Sequence, residues 1–186
     1  MPENREWSIR LLTASDAELL SGLAIAIYKQ YYTHLWHDGG RWYTDYSYNV
    51  PKLRQELSDL NNLHYIAYSG NDPVAYLKIR LWEKWKGLQN KHCLEVERIY
   101  VLQHAAGLGL GKKLMNIAFE VAKYHNQDFI FLKAMDSSLG AIAFYQKLGF
   151  EVFDTLILPF EQMKQEYRGM VVMKKAVQGK EMGIDL

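Results

Sequence analysis

Residues 94–114 read LEVERIYVLQHAAGLGLGKKL. Three signals follow one another in this stretch. Leu94, Val96, Ile99, Tyr100 and Val101 form the β-branched and aromatic run of a strand. Gly107, Gly109 and Gly111 then alternate with leucines, after which Leu114, Ile117, Ala118 and Val121 recur at the spacing of one helix face. Glycines at the start of a helix let backbone N–H groups come close to a ligand, and the helix N-terminus favours negative charge. The order strand, glycine loop, helix therefore predicts a phosphate ligand. The plain alternative is a strand–loop–helix turn that uses glycine only for flexibility.

Spacing narrows the choice of phosphate ligand. A Walker loop needs glycine where Ala106 stands and Ser or Thr where Lys113 stands, so that motif fails twice. A dinucleotide fingerprint, G-x-G-x-x-G, fails because the glycines at 107, 109 and 111 are evenly spaced.

Composition sets the outer bounds. A chain of 186 residues, 49% hydrophobic and 23% charged, is expected to form one domain with a single substantial core. Its net charge of +1 argues against a nucleic-acid partner. Cys93 is the only cysteine, so no intrachain disulfide is available. No apolar run approaches the roughly 20 residues of a membrane span, and no signal-like segment opens the chain, so the expected location is cytoplasmic.

Outward from the glycine stretch, periodicity predicts a strand at 7–12 and a helix at 16–34, started by Thr13 or Ser15. A polar, aromatic linker turns at Gly39-Gly40, and Pro51 opens a second helix over 51–60. Strands follow at 63–68 and 74–82, and a charged loop at 83–91 leads to the central strand. Beyond the glycine helix come a strand at 129–133, a helix at 139–148 stopped by Gly149, and strands at 150–158 and 169–175. Residues 176–186 read as a loose tail. No repeat or second-domain linker interrupts the pattern.

A second block, AIAFYQKLGF over 141–150, completes a resemblance. With Gly109 and Gly111, it is similar to the GCN5-related N-acetyltransferases, which carry a Q/R-x-x-G-x-G/A loop and an A-x-x-F-Y-x-x-x-G-F segment. The LEVERIYV strand and AIAFY helix look most like bacterial members that acetylate polyamines. The resemblance implies an α/β (α+β) fold of the acyl-CoA N-acyltransferase type. Its mixed sheet, splayed at the centre, would have about seven strands and helices on both faces. It also implies acetyl-CoA as cofactor, an amine acceptor, and direct transfer between them.

The same resemblance assigns residues to the cofactor. Ile99 and Val101, flanking Tyr100, would pair through their main chain with the pantetheine arm, and the Val101 N–H would polarise the acetyl carbonyl. The loop Gly107, Leu108, Gly109, Leu110, Gly111 and Lys112 would take the pyrophosphate. Ala106 stands where the family has Gln or Arg, and Ser138 where many relatives have Asn; each offers less hydrogen bonding. Tyr145 stands where the family places the acid for the departing thiolate. The bare spacing of Ala141, Phe144, Tyr145 and Leu148 fits a core stripe equally.

Glu95 and Glu97 lie two apart on the central strand and so share a face in a regular strand. A lysine-like amine has a pKa of about 10.4, so freeing its lone pair at pH 7 costs about 4.6 kcal/mol. Either carboxylate could accept that proton directly or through water. Otherwise both are solvated, or Glu97 pairs in the neighbourhood of Arg98. The resemblance favours Glu97, which lies nearer the glycine loop.

Eight aromatics fall between Tyr28 and Tyr48, with Asp38 and Asp45 among them. Tyr28, Tyr31, Tyr32 and Trp36 are the candidates for holding a cationic amine. The same rings could instead cap the core or meet a second copy in a homodimer. His34 and His37 have helical ligand spacing but no strong third ligand, so no metal is expected. Two readings from different classes remain: an acetyl-CoA-dependent N-acetyltransferase acting on a small primary amine, and a non-catalytic acyl-CoA-binding protein of the same fold.

Overall fold

Seven strands, the central ones buried on both faces, build one mixed sheet flanked by helices, in a computed structural model that describes residues 7–177. The chain runs β1 (Trp7–Leu11), α1 (Ala17–Tyr31), α2 (Arg41–Ser47), α3 (Val50–Ser58), β2 (Asn62–Ser69), β3 (Asp72–Glu83) and β4 (Cys93–Val101). It continues through α4 (Leu110–Tyr124), β5 (Phe129–Met135), α5 (Leu139–Lys147), β6 (Glu151–Ile157) and β7 (Gly169–Ala176). Strand order in the sheet is β1-β2-β3-β4-β5-β7-β6. Only β4 and β5 run parallel.

The expected fold class and element order hold with one correction. Residues 41–47, read as linker, form α2. Gly40 takes the left-handed conformation at its start, with φ 86°. The Asp38 carboxylate accepts from the N–H groups of Gly40, at 2.9 Å, and Trp42, at 2.7 Å. Trp42 then stacks on Tyr46 one turn later. A helix of seven residues is too short to announce itself by periodicity. Of the expected tail at 176–186, Ala176 closes β7, and residues from 178 onward lie outside the described residues.

Two cores flank the sheet. Leu94 and Val96 of β4 bury among Leu110, Leu114, Met115, Ala118 and Ala122 of α4. On the other face Tyr76 of β3 packs with Leu20, Ala24 and Ile27 of α1 and Leu53 of α3. Fully burying one such leucine stabilises by about 1.5–3 kcal/mol.

Two irregularities in β4 position the site. Its pairing with β5 runs from Cys93↔Phe129 to Val96↔Leu132 and then stops, although β4 continues to Val101 and β5 to Met135. Opposite β3, Arg98 pairs with Lys78 but Val96 pairs with Ile79, leaving Glu97 as an extra residue in a bulge. The bulge lets Glu97 and its chain neighbour Arg98 approach the same cluster of side chains, with Glu97 Oε1 3.2 Å from the Arg98 guanidinium.

Gly149 ends α5 as the sequence indicates. Its φ is 86°; its N–H donates to the Gln146 carbonyl at 2.9 Å, and the Phe150 N–H donates to the Tyr145 carbonyl at 3.1 Å. The Tyr145 and Phe150 rings lie 5.9 Å apart across this turn. These are the two bonds and the apolar contact of a Schellman cap. Gly149→Ala places a Cβ on a left-handed residue, and should lower the unfolding free energy by about 1–2 kcal/mol. Urea titration reads this out, and an unshifted midpoint would contradict it.

Candidate active site

Where β5 leaves β4, a cavity opens on each side of β4. The first, about 260 Å³, has Tyr28, Tyr32, Trp36, Glu95, Glu97, Tyr100 and Ser138 in its wall. The second, about 440 Å³, runs along Val101, Ala106, Gly107, Gly109, Gly111 and Lys112. Ile99, Ala141 and Tyr145 line both. Tyr145 of α5 thus stands at the junction.

The candidates from the sequence therefore divide between two chambers. Tyr31 lines neither cavity, Leu108 is half exposed, and Leu110 is buried in the core under the glycine loop. The Tyr100 ring faces the first cavity side, 5.4 Å from Tyr32, so only its main chain is available to the groove. Asp38 is committed to α2, and Asp45 is exposed.

The glycine groove fits an anion. Gly107 and Gly109 have φ of 76° and 80°, and a Cβ on either would point into open space. The first amide bonded back into α4 is that of Lys113, which donates to Gly109 at 3.2 Å. The N–H groups of Leu110, Gly111 and Lys112 find no acceptor among the described residues, as the first turn of a helix dictates. Beyond Val96, β4 also has an edge that no strand covers, where alternate N–H and C=O groups point away from β3.

The first cavity is polar on one wall and aromatic on the other. Glu95 is 3% exposed and lies 2.7 Å from Lys133 of β5. Glu97 receives Lys78 Nζ at 2.9 Å and has Arg98 at 3.2 Å and Arg80 at 3.6 Å. Burial alone would raise the Glu97 pKa, but Arg98, Lys78 and Arg80 outweigh it and hold the carboxyl below its ordinary value. On the aromatic wall the Trp36 indole N–H donates to the Tyr28 hydroxyl at 2.6 Å. Burial, with a smaller contribution from Tyr32, pushes the Tyr145 phenol up, so it stays protonated at neutral pH. No hydrogen bond occupies its hydroxyl among the described residues.

Sequence reasoning offered Glu97 a pairing near Arg98 but missed Lys78, Arg80 and Lys133. Lys78 and Arg80 alternate on β3 opposite Glu95 and Glu97, a complementary pattern that becomes visible once the strands are paired. It also missed Leu158, Phe160 and Met163, which arrive from the segment after β6. His34 sits edge-on to Tyr167, and no metal-binding group of three or more His, Cys, Asp or Glu occurs among the described residues. No described helix is long and apolar enough to cross a membrane.

Known proteins are similar to this chain in sequence and in fold. The profile of the acetyltransferase (GNAT) family matches residues 24–150. The chain belongs to the GNAT family. It is 26% identical over 136 residues to an uncharacterized N-acetyltransferase of Methanocaldococcus jannaschii, covering 55% of this chain and 59% of that protein. It is 29% identical over 110 residues to N-alpha-acetyltransferase 50 of Danio rerio, covering 59% and 62%. The chain thus spans about three fifths of the length of these curated relatives. Among solved structures, the PaiA N-acetyltransferase from Thermoplasma acidophilum, in complex with coenzyme A, superposes with TM-score 0.72 at 20% identity. That match covers 92% of this chain and 99% of the other, and shows the GNAT fold.

Acetyl-CoA is the donor that GNAT enzymes use, and the residues present fit it. The groove offers unpaired amides for a pyrophosphate and a bare strand edge for an amide-bearing arm, and it ends at a phenol.

Behind the carboxylates lies His64, with a fully buried ring and neither nitrogen hydrogen-bonded among the described residues. Burial first, then Lys78 and Arg98, lower its pKa to about 3. The folded chain keeps His64 neutral, whereas the unfolded chain protonates it below about 6.5. Its contribution to stability is therefore present above about pH 6.5 and lost as pH falls toward about 3. His64→Leu should shrink the drop in urea midpoint between neutral and mildly acidic buffer. An equal drop in both proteins would contradict this.

Proposed function

We propose that this GNAT chain is an acetyl-CoA-dependent N-acetyltransferase that acts on a small primary amine by direct attack. One observation carries the reading: Tyr145 lines the glycine groove and the acceptor cavity together, at the point where β4 and β5 part. Acetyl-CoA supplies an activated acetyl thioester. Every other requirement falls to the chain's own residues.

The amides of 107–112 hold negative charge at the start of α4. The free edge of β4 at Ile99 and Val101 orients the arm that follows, and the Val101 N–H polarises the carbonyl to be attacked. Tyr145 holds its proton where a leaving sulfur would need it. A thiol ionises near pH 8.5 and a phenol near 10, and burial widens that gap. Full transfer from the phenol is therefore uphill by more than about 2 kcal/mol. Tyr145 accordingly acts by a hydrogen bond that tightens as charge develops.

Glu97 accepts the amine's proton, directly or through water. Its cationic neighbours make it a weak base, so its share in the rate is greatest where the solution holds little neutral amine. Glu95, clamped to Lys133, supports the same wall of the cavity.

The test is a pH–rate profile across an amine panel. Tyr145→Phe should keep the fold and coenzyme A binding while kcat falls by about 10²-fold. Glu97→Gln should lower kcat/KM by a similar factor near neutrality, and the loss should shrink as pH approaches the amine's own pKa. Glu95→Gln should do less. Unchanged kcat in Tyr145→Phe with chemistry rate-limiting would make that residue a core aromatic. Coincident wild-type and Glu97→Gln profiles would remove Glu97 from proton transfer. Binding of coenzyme A with transfer to no amine would favour the non-catalytic alternative.

A further inference from the structure

Beside the acceptor cavity a second cleft of about 500 Å³ opens to solvent and shares Glu97, Arg98, Lys133 and Phe160 with it. Five cations line the cleft: Lys52, Lys78, Arg80, Arg98 and Lys133. Glu56 and Glu97 are the only carboxylates among its lining residues. Counting Glu83 and Glu95, which pair with two of these cations from behind, the balance is five positive charges against four negative.

Each of those carboxylates is already matched. Glu56 and Glu97 share Lys78 Nζ at 2.9 Å, Glu83 lies 2.8 Å from Arg80, and Glu95 lies 2.7 Å from Lys133. The cationic donors are not used up. Lys52 Nζ sits 4.0 Å over the Tyr46 ring and 3.3 Å from the Tyr46 carbonyl oxygen, with no carboxylate partner among the described residues. Arg98 is only 8% exposed, yet its guanidinium lies 3.2 Å from Glu97 and 3.9 Å from Glu56 without a hydrogen bond of ordinary geometry to either. The guanidinium lies over the Tyr48 ring, 5.1 Å from its centroid, and lines the cleft, where its five N–H donors are open to a ligand oxygen.

A second ammonium entering this cleft would find every carboxylate occupied and would have to displace a protein cation. An anion would complete the count. We infer that the acceptor is a primary amine carrying its own oxyanion, a carboxylate or a group of like charge. Its amine faces Tyr145 and its anion faces Lys52 and Arg98. Polycationic amines are then selected against, although the sequence blocks look like those of polyamine acetylators. The inference rests on the transfer activity proposed above and names the substrate class of that same site.

The test uses acceptors matched in carbon count: ω-aminocarboxylates, n-alkylamines and α,ω-diamines, with ω-aminoalkylphosphonates to separate a carboxylate from a phosphoryl source. Thiol release from acetyl-CoA gives kcat/KM for each. The anionic series should exceed the alkylamines by about tenfold or more, as one charge-assisted hydrogen bond warrants. The diamines should rank last. Added salt should compress the ratio, and Lys52→Met should narrow the gap between aminocarboxylate and alkylamine. A preference for diamines, or a ratio unmoved by both salt and Lys52→Met, would overturn the inference while leaving acetyl transfer intact. Absence of amine-dependent thiol release across every series would instead defeat the transfer reading, and this inference with it.

Discussion

The site depends on β4 and β5 pairing for four residues and then separating. Parallel neighbours that stayed together to Val101 and Met135 would satisfy each other's backbone groups and close the sheet. Because they part after Val96, β4 keeps an uncovered edge in the middle of the molecule, between two cores. Tertiary packing holds the gap open. The α4 side is anchored by Leu110, Leu114 and Met115, and the opposite side by α1 with its cluster of aromatics. A ligand that can add its own amides to that edge completes what the sheet leaves unfinished.

The second constraint is electrostatic. Two carboxylates in a half-buried cavity would be costly without partners. The bulge at Glu97 and the alternation of Lys78 and Arg80 supply those partners from β3, and Lys133 supplies another from β5. This matching fixes the positions of both carboxylates, and around Glu97 it favours the ionised form and so weakens that residue as a base. The same cations give the outer cleft its positive surplus. Base strength and acceptor preference are thus two consequences of one network, and a change at Lys78 or Arg80 should move both.

Much of this was legible in the sequence. The strand of 94–101, the glycines of the loop and the stop at Gly149 carry local signals that tertiary structure has no reason to override. Tyr145 was singled out by the resemblance of its block to the family's segment, since its bare spacing fits a core stripe equally. What was hidden needed a partner. The α2 helix is too short for periodicity and depends on the Asp38 cap. Distinguishing Tyr31 from Tyr32 requires knowing which way α1 faces, since adjacent helical residues point about 100° apart. The cations around Glu95 and Glu97 are distant in sequence and meet them only through register, and a bulge cannot be read from one strand alone.

On the proposed reading, the divided strand and the glycine loop together form one coenzyme A site. The decisive measurement is a titration of the isotopically labelled chain with coenzyme A, following backbone amide shifts by NMR. The largest shifts should fall on the amides of 107–112 and of Ile99 to Val101, with smaller ones near Tyr145. Saturable binding that leaves those amides unmoved and perturbs another face of the sheet would contradict it.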